Sequence, residues 1–396
     1  MTYKIFSIYL FVMVARPQDY FTFLQPLRPA LLLGVLSALA LVFSKGGLQL
    51  NEVLRLSETR KYLFYYIIMI IGIPFSLYRR QAFDFTFLMY SSNILFFFLF
   101  ILGNNSFDRL RKSMFVIILS AFAYAIFCLS GGSFRDGRFL FGTMFDPNGL
   151  AYFFISLLPL SLYFIIHNKG RIKQGIIGLI TFGTSILITI LTASRAGIIA
   201  FMITFITMVF TIKLSINKKI LLTSVLIVMS AMYYDRINID RYSTIVNIEK
   251  DYNLTAEEGR LTIWKRSIKI ILEHPIIGVG VTCFGEAIGT IRVEMDLPPK
   301  WQSAHNSYLE VAGELGLIGL FVFLSMSFGC LKHFYLLSKE RGESNFGIEL
   351  QTISRLLFLS TVGCLVGASF LSEEHSIVFA LLFAFSGALR NLNSKA

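Results

Sequence analysis

The stretch 150-LAYFFISLLPLSLYFII-166 carries no charged side chain from end to end. A helix crossing a bilayer needs about 17–25 mostly apolar residues. This run is long enough, and it reads as a membrane span. Working outward, similar runs recur along the 396 residues, of which 55% are hydrophobic and 15% charged. Soluble domains carry nearer about 25% charged residues. Phe alone occurs 40 times.

By hydropathy the spans are Ile5–Val14, Pro29–Phe43, Tyr62–Leu77, Phe85–Leu102, Met114–Leu129, Leu150–Ile166, Ile176–Leu191, Gly197–Ile212, Ile220–Tyr234, Ser307–Leu331, Leu356–Leu371 and Ile377–Leu389. The expected fold is therefore an all-α polytopic membrane protein, a single membrane domain over 1–396 with about twelve transmembrane helices. The first span is short. A basic region of Lys4 alone and the sequence Arg16-Pro17 argue for its retention over cleavage as a signal peptide.

Net charge is +12, from 36 basic and 24 acidic residues. The basic residues sit in short loops, which points away from nucleic acid and toward the excess of Lys and Arg on cytoplasmic loops. With the N terminus inside, Arg109, Arg111, Lys112, Lys169, Arg171, Lys173, Lys213, Lys218, Lys219, Lys332 and Lys339 fall inside and both termini are cytoplasmic. The loop with Glu373 and Glu374 falls outside. Arg79, Arg80, Arg135 and Arg138 fall on the outer side against the rule.

One connection is much longer than the rest. Residues 235–304, between the ninth and tenth spans, form a large outer loop, and loops of that length tend to be functional. Within it, 255-TAEEGRLTIWKRSIKIILEHP-275 reads as an amphipathic helix. Thr255 and Glu258 have capping-box spacing. Leu261, Trp264, Ile268, Ile271 and Leu272 share one apolar face, expected to lie on lipid. The glycine-rich 276-IIGVGVTCFGEAIG-289 fails the dinucleotide fingerprint and reads as a tight loop.

Chemistry concentrates where this loop re-enters the membrane, at 303-SAHNSYLEVAGELGLIGLFVF-323. If Ser303 caps the helix, His305 lies in its first turn, where the helix dipole disfavours imidazolium. A neutral imidazole is a competent general base near neutrality. Asn306, Glu310 and Glu314 follow at spacing four on one face. Acids at membrane depth face a cavity or a partner, so Glu310 is a candidate to orient His305 or to bind substrate hydroxyls. His167 and His333 fall in cytoplasmic loops and read as solvated. In 192-TASRAG-197, Arg195 offers a planar fork suited to phosphate oxygens, and Arg260 offers another. In 141-FGTMFDPNGLA-151, Pro147 fits a helix start that Asp146 or Asn148 caps. No Asp-x-Asp pair and no Cys/His ligand spacing is visible, so neither metal nor cofactor is expected. Cys283 stands alone in the outer loop, and no disulfide framework is expected.

On 192-TASRAG-197, 259-GRLTIWKRSIKIILEHPIIGVG-280, 305-HNSYLEVAGELGLIGL-320, FDPNGLA and 16-RPQDYF-21, the chain resembles the O-antigen ligase and polymerase superfamily of bacterial envelope glycosyltransferases. The resemblance implies work at the outer face of the bacterial cytoplasmic membrane, with a glycan on undecaprenyl diphosphate as donor. It implies a lipid A core or another lipid-linked repeat as acceptor, and a metal-independent, inverting transfer. It further implies that Arg195 and Arg260 hold the diphosphate and that His305 deprotonates the acceptor, with Asn306, Glu310, Trp264 and Asn148 as supporting candidates. Expected partners are membrane lipid, a polysaccharide flippase and a chain-length regulator. The competing reading is a transporter of the same lipid-linked glycan. Transporters favour inverted repeats and broken helices, and neither is evident in the sequence.

Overall fold

The computed structural model describes residues 2–43, 50–142, 146–167, 171–212, 215–243, 258–340 and 345–393. Its main helices are α1 (Thr2–Ala15), α2 (Pro29–Val42), α3 (Ser57–Gly72), α4 (Arg79–Gly103), α5 (Phe107–Gly131), α6 (Pro147–Ile166), α7 (Ile172–Leu191), α8 (Arg195–Thr211), α9 (Ile216–Met232), α10 (Arg260–Glu273), α11 (Phe284–Glu294), α12 (Ser307–Lys339), α13 (Asn345–Ala368) and α14 (Ile377–Asn393). Each expected span overlaps one of them. Among the described residues, six helices are long and apolar enough to cross a membrane: α4, α5, α6, α7, α12 and α13. Four shorter apolar helices, α1, α2, α8 and α14, accompany them.

The burial pattern explains why such a greasy chain folds this way. Helix α6 is buried on every side, from Gly149 to Ile165. A helix apolar all round belongs at the centre of a bundle, and α6 packs against α5, α7, α8 and α13. The peripheral helices instead leave apolar side chains uncovered. On α2 these are Leu32, Val35, Leu36 and Leu39; on α8 they are Met202, Ile206, Val209 and Phe210. Exposed apolar surface on this scale marks an interaction face. Here it encircles an apolar bundle, as lipid contact requires.

The helices alternate in direction, so the connections gather at two ends. At one end Tyr3 meets Arg109 and Ser113, Arg111 meets Glu349, and Arg390 pairs with Glu58. His333 also lies at this end. It is not solvated: it is buried in α12 with Nδ1 at 2.8 Å from Ser386 Oγ, and Ser386 donates to Glu58 at 3.0 Å. The opposite end collects the turn after α7, residues 258–306 and the Glu373–Glu374 turn. It also holds the one sheet among the described residues, an antiparallel hairpin of β1 (Ser133–Arg135) and β2 (Arg138–Leu140). Asp136 and Gly137 both take positive φ, at 51° and 67°, the Asp-Gly signature of a tight hairpin turn.

Helix α12 is broken. Gly316 has φ 66° and ψ −174° inside it, which corrects the expectation that no broken helix is present. A break strands backbone groups that the helix would have paired. The glycine-rich loop after α10 takes them up. Val279 N–H donates to Gly313 C=O at 2.9 Å, Gly280 N–H to Glu314 C=O at 2.9 Å, and Leu317 N–H to Pro275 C=O at 2.8 Å. Leu77 N–H, just after α3, adds a bond to Val279 C=O. The approach is close enough to demand glycine. A Cβ on Gly316 would sit 2.2 Å from the Ile276 carbonyl oxygen, and one on Gly278 would sit 2.4 Å from that of Glu314.

Gly316→Ala should therefore combine a clash with a positive-φ cost of about 1–3 kcal/mol, lowering the thermal midpoint in detergent by several degrees. Gly285→Ala, whose added Cβ meets nothing closer than 3.7 Å, should stay within about 0.5 kcal/mol of wild type. Equal midpoints for the two variants would show that the loop does not depend on this close approach.

Candidate active site

The turn between α7 and α8 is built from caps. Thr192 and Ala193 end α7 with carbonyls that the helix leaves unpaired. Arg138 Nε donates to Thr192 C=O at 3.2 Å, and Arg241 Nε donates to Ala193 C=O at 2.9 Å. Cations suit this negative end of a helix. Ala193 takes φ 48° to reverse the chain. Ser194 then caps α8, accepting from Gly197 N–H at 3.1 Å, and Arg195 opens that helix. Asn148 ties the turn to the start of α6. Its Oδ1 accepts from Arg138 Nη2 at 2.7 Å and from Ser194 Oγ at 2.9 Å, while its Nδ2 donates to Asp146 at 3.0 Å. Asp146, not Asn148, is the cap of α6.

Facing this turn is α10 with Arg260 in its first position. The helix begins at Arg260 with Gly259 as its N-cap, and Thr255 of the expected capping box lies outside the described residues. Its buried side is Ile263, Arg266, Ser267 and Ile270, packed with α11 and with Val279, Cys283 and Ala304. Leu261, Ile268 and Leu272 are exposed as expected of a lipid-facing stripe. Trp264 departs from that expectation: it is turned inward, and its indole N–H donates to Ala304 C=O at 2.9 Å.

That bond is half of a clamp next to His305. The N–H of Ala304 donates to Glu310 Oε2 at 3.0 Å, and Ser372 Oγ donates to the same carboxylate oxygen. The Ala304 peptide groups are thus held on both sides, and Ala304 is wholly buried. His305 follows with φ 47°. It is not in the first turn of α12 and Ser303 is not the cap. Asn306 is the cap, accepting from Tyr308 N–H at 3.0 Å and Leu309 N–H at 3.1 Å. His305 therefore stands just outside the helix. Its pKa is lowered from the ordinary imidazole value by burial first, then by the Arg260 charge, with Asp146 opposing. The neutrality expected from the helix dipole arises from desolvation and a neighbouring guanidinium. Glu314, on the same face as Glu310, accepts from Phe284 N–H at 3.4 Å and does not reach His305 by any described bond.

These elements enclose one cleft of about 370 Å³ whose wall includes Arg138, Arg195, Arg241, Arg260, Lys300, Asp146, Asn148, Glu258, Gln302 and His305. Five cationic side chains face two carboxylates. Glu258 is bound to Arg266 at 3.0 Å and to Arg292, with its pKa lowered chiefly by Arg266. Burial and then Arg241 pull the Arg138 guanidinium down to about 10, against Asp146. The balance of the cleft is cationic, with a neutral imidazole on the wall. Such a wall can hold a dianion and accept a proton beside it. Of the residues expected from sequence, Arg195, Arg260, His305 and Asn148 line the cleft, while Asn306, Glu310 and Trp264 hold its wall from behind. Arg138, Arg241 and Lys300 were missed. Arg138 had left a trace as an outer arginine against the charge rule.

Residues 180–324 match the sequence profile of the O-antigen ligase family. The matched stretch is the one that carries Arg195, Arg260 and His305. The chain is also 26% identical over 181 residues to an uncharacterized protein of Haemophilus influenzae, covering 42% of this chain and 45% of that protein. It thus spans less than half of that relative's length.

Arg260→Gln should raise the His305 pKa, since it removes a charge that disfavours imidazolium. Because the folded pKa is depressed, the associated stability is present above about 6.5 and lost as pH falls through the folded value. Histidine-labelled NMR in detergent, assigned with His305→Ala, reads the shift. An unchanged or lowered pKa in Arg260→Gln would mean that the two groups do not interact.

Proposed function

We propose, for a chain whose residues 180–324 carry the O-antigen ligase family domain, that the cleft transfers a glycan from undecaprenyl diphosphate to a sugar hydroxyl in surface polysaccharide assembly. The observation that carries this reading is the cationic cleft with the imidazole of His305 on its wall. His305 takes the proton of the acceptor hydroxyl as that oxygen bonds to the anomeric carbon from the face opposite the diphosphate. The old carbon–oxygen bond breaks, its electron pair leaves on the diphosphate, and the anomeric configuration inverts. Arg195 and Arg260 meet the growing charge with planar forks, so the transfer itself needs no metal ion. Arg138 and Arg241, already bound to carbonyls of the α7–α8 turn, set the position of Arg195. Trp264 and Glu310 fix His305 through Ala304.

In this reading the cleft opens on the outer face of the bacterial cytoplasmic membrane and both chain ends face the cytoplasm. The loop arginines and lysines at the opposite end support that orientation. The exposed stripe of α10 lies at the lipid surface, where the diphosphate of a lipid-borne donor sits. Ligase and polymerase share this chemistry. A deletion strain separates them on a polysaccharide gel, since loss of a ligase leaves bare lipid A core and loss of a polymerase leaves single repeat units. A second reading, transport of the lipid-linked glycan, draws on the broken α12. Release of undecaprenyl diphosphate by purified protein given donor and acceptor favours transfer; its absence with intact donor binding favours transport.

His305→Ala should slow single-turnover transfer by at least about 10²-fold, or roughly 2.7 kcal/mol of barrier, with donor binding within a few-fold of wild type. Transfer near the wild-type rate would remove the base role. Arg195→Lys should also be costly, because a point charge cannot hold two phosphate oxygens in one plane. If Arg195→Lys and Arg195→Ala both produce normal glycan while inserting normally, Arg195 has no part in the site.

A further inference from the structure

Behind the His305 clamp lies a second polar cluster that the proposed transfer does not use. Glu314 of α12, Glu374 and His375 bring one ligand atom each to within 4.8 Å of one another. His375 Nε2 is 3.6 Å from Glu314 Oε2 and 4.0 Å from Glu374 Oε1. Both glutamates are buried, at 3% and 6% exposure. The remaining valences are what set the cluster apart. Glu314 Oε2, Glu374 Oε2 and both ring nitrogens of His375 have no hydrogen-bond partner. A fourth group, from a different helix, is in the same state. The Tyr65 hydroxyl of α3 is buried without a partner and lies within electrostatic reach of both carboxylates.

Buried polar atoms are nearly always paired, and two carboxylates out of water need a compensating charge. We infer that Glu314, Glu374 and His375 form a binding site for a divalent first-row transition ion, zinc above all. Carboxylate oxygens and imidazole nitrogens are both zinc donors, and three protein ligands leave a fourth position for water. Tetrahedral bonds of about 2.0–2.2 Å place ligands roughly 3.3–3.6 Å apart, so the two spacings from His375 Nε2, 3.6 and 4.0 Å, need little change around an ion. Imidazole among the donors disfavours magnesium and calcium, which take oxygen. The rings of Phe85 and Tyr90, at 5.1 and 5.4 Å from His375, wall the histidine. His375 also lines a cavity of about 360 Å³ bordered by Tyr9, Gln18 and Asn93, from which an ion can reach its ring.

The ion has a structural task. Glu314 precedes the break at Gly316, and Glu374 and His375 form the turn between α13 and α14 that also supplies Ser372 to Glu310. The bound ion joins these two elements directly behind the Ala304 clamp. It touches no residue of the cationic cleft, so it stands apart from the transfer chemistry, and the inference holds whichever substrate that cleft takes.

The test uses the full chain in detergent. Equilibrium dialysis against micromolar Zn²⁺, with metal content read by mass spectrometry, should give about one ion per chain. Replacing zinc by Co²⁺ should give the intense visible bands of a tetrahedral site. His375→Ala should abolish both, Glu374→Gln should weaken binding at least about tenfold, and the exposed-site control His274→Ala should leave both unchanged. Absence of zinc and of cobalt bands in folded wild-type protein would overturn the site and leave a protonated carboxyl pair with bound water. Full stoichiometry in monodisperse Glu374→Gln, or loss of binding in His274→Ala, would overturn it equally. The cobalt spectrum of the wild type decides the matter even if His375→Ala fails to fold.

Discussion

The opened turn of α12 at Gly316 is the constraint on which the rest of the site depends. A helix interrupted in a greasy environment cannot leave its peptide groups to water, because little water is there. Here the unpaired groups around Gly313, Glu314 and Leu317 are matched by Val279, Gly280 and Pro275. The same bonds tether the segment that follows α10, and with it α10 itself, against α12. Arg260 opens α10, and His305 stands just before α12. Their closeness is therefore a product of backbone pairing several residues away, and it does not rely on a direct bond between the two side chains.

The opposite wall is organised by a different rule. The end of α7 and the start of α8 offer unpaired carbonyls and unpaired N–H groups within a few residues. Two arginines from separate parts of the chain satisfy the carbonyls, Ser194 satisfies an N–H, and Asn148 fastens the whole to α6. Positive charge collects there because helix ends with exposed carbonyls attract it, and Arg195 sits in the field that results. A charge concentrated in this manner would be expensive in a closed core. In a cleft it is tolerable, and it favours an anionic visitor.

How much of this could be read from the sequence varies with the range of the interaction. The helices were legible because hydropathy is a local property: every expected segment overlaps one, and six of them are long and apolar enough to cross a membrane among the described residues. Arg195, Arg260 and His305 were legible through motifs, and the cleft gathers all three. The cap of α12 was misassigned by three residues, because Ser303 and Asn306 are equally good caps in isolation and only the clamp on Ala304 decides between them. Trp264 was read as lipid-facing since its spacing fits either side of α10; the indole bond to Ala304 is a long-range contact with no periodic signature. Arg241 left no signal at all, because its role is to reach a carbonyl 48 positions away. The break at Gly316 was hidden for the same reason. GELG reads as an ordinary helical stretch until the GVG loop is laid against it. The convergence of Glu314 with Glu374 and His375 joins segments too far apart for any spacing rule for ligands.

The two-sided grip on Ala304 has a mechanical meaning. Trp264 stands one turn beyond Arg260 on α10, and the peptide it holds is the one that carries His305. Arg260 and His305 are thus mounted on one lever, whereas Arg195, Arg138 and Arg241 are mounted on the other bank of the cleft. The spacing within the pair is fixed by the Trp264 bond to Ala304, and the width of the cleft by the placing of the two banks, so width and alignment are set by separate parts of the molecule.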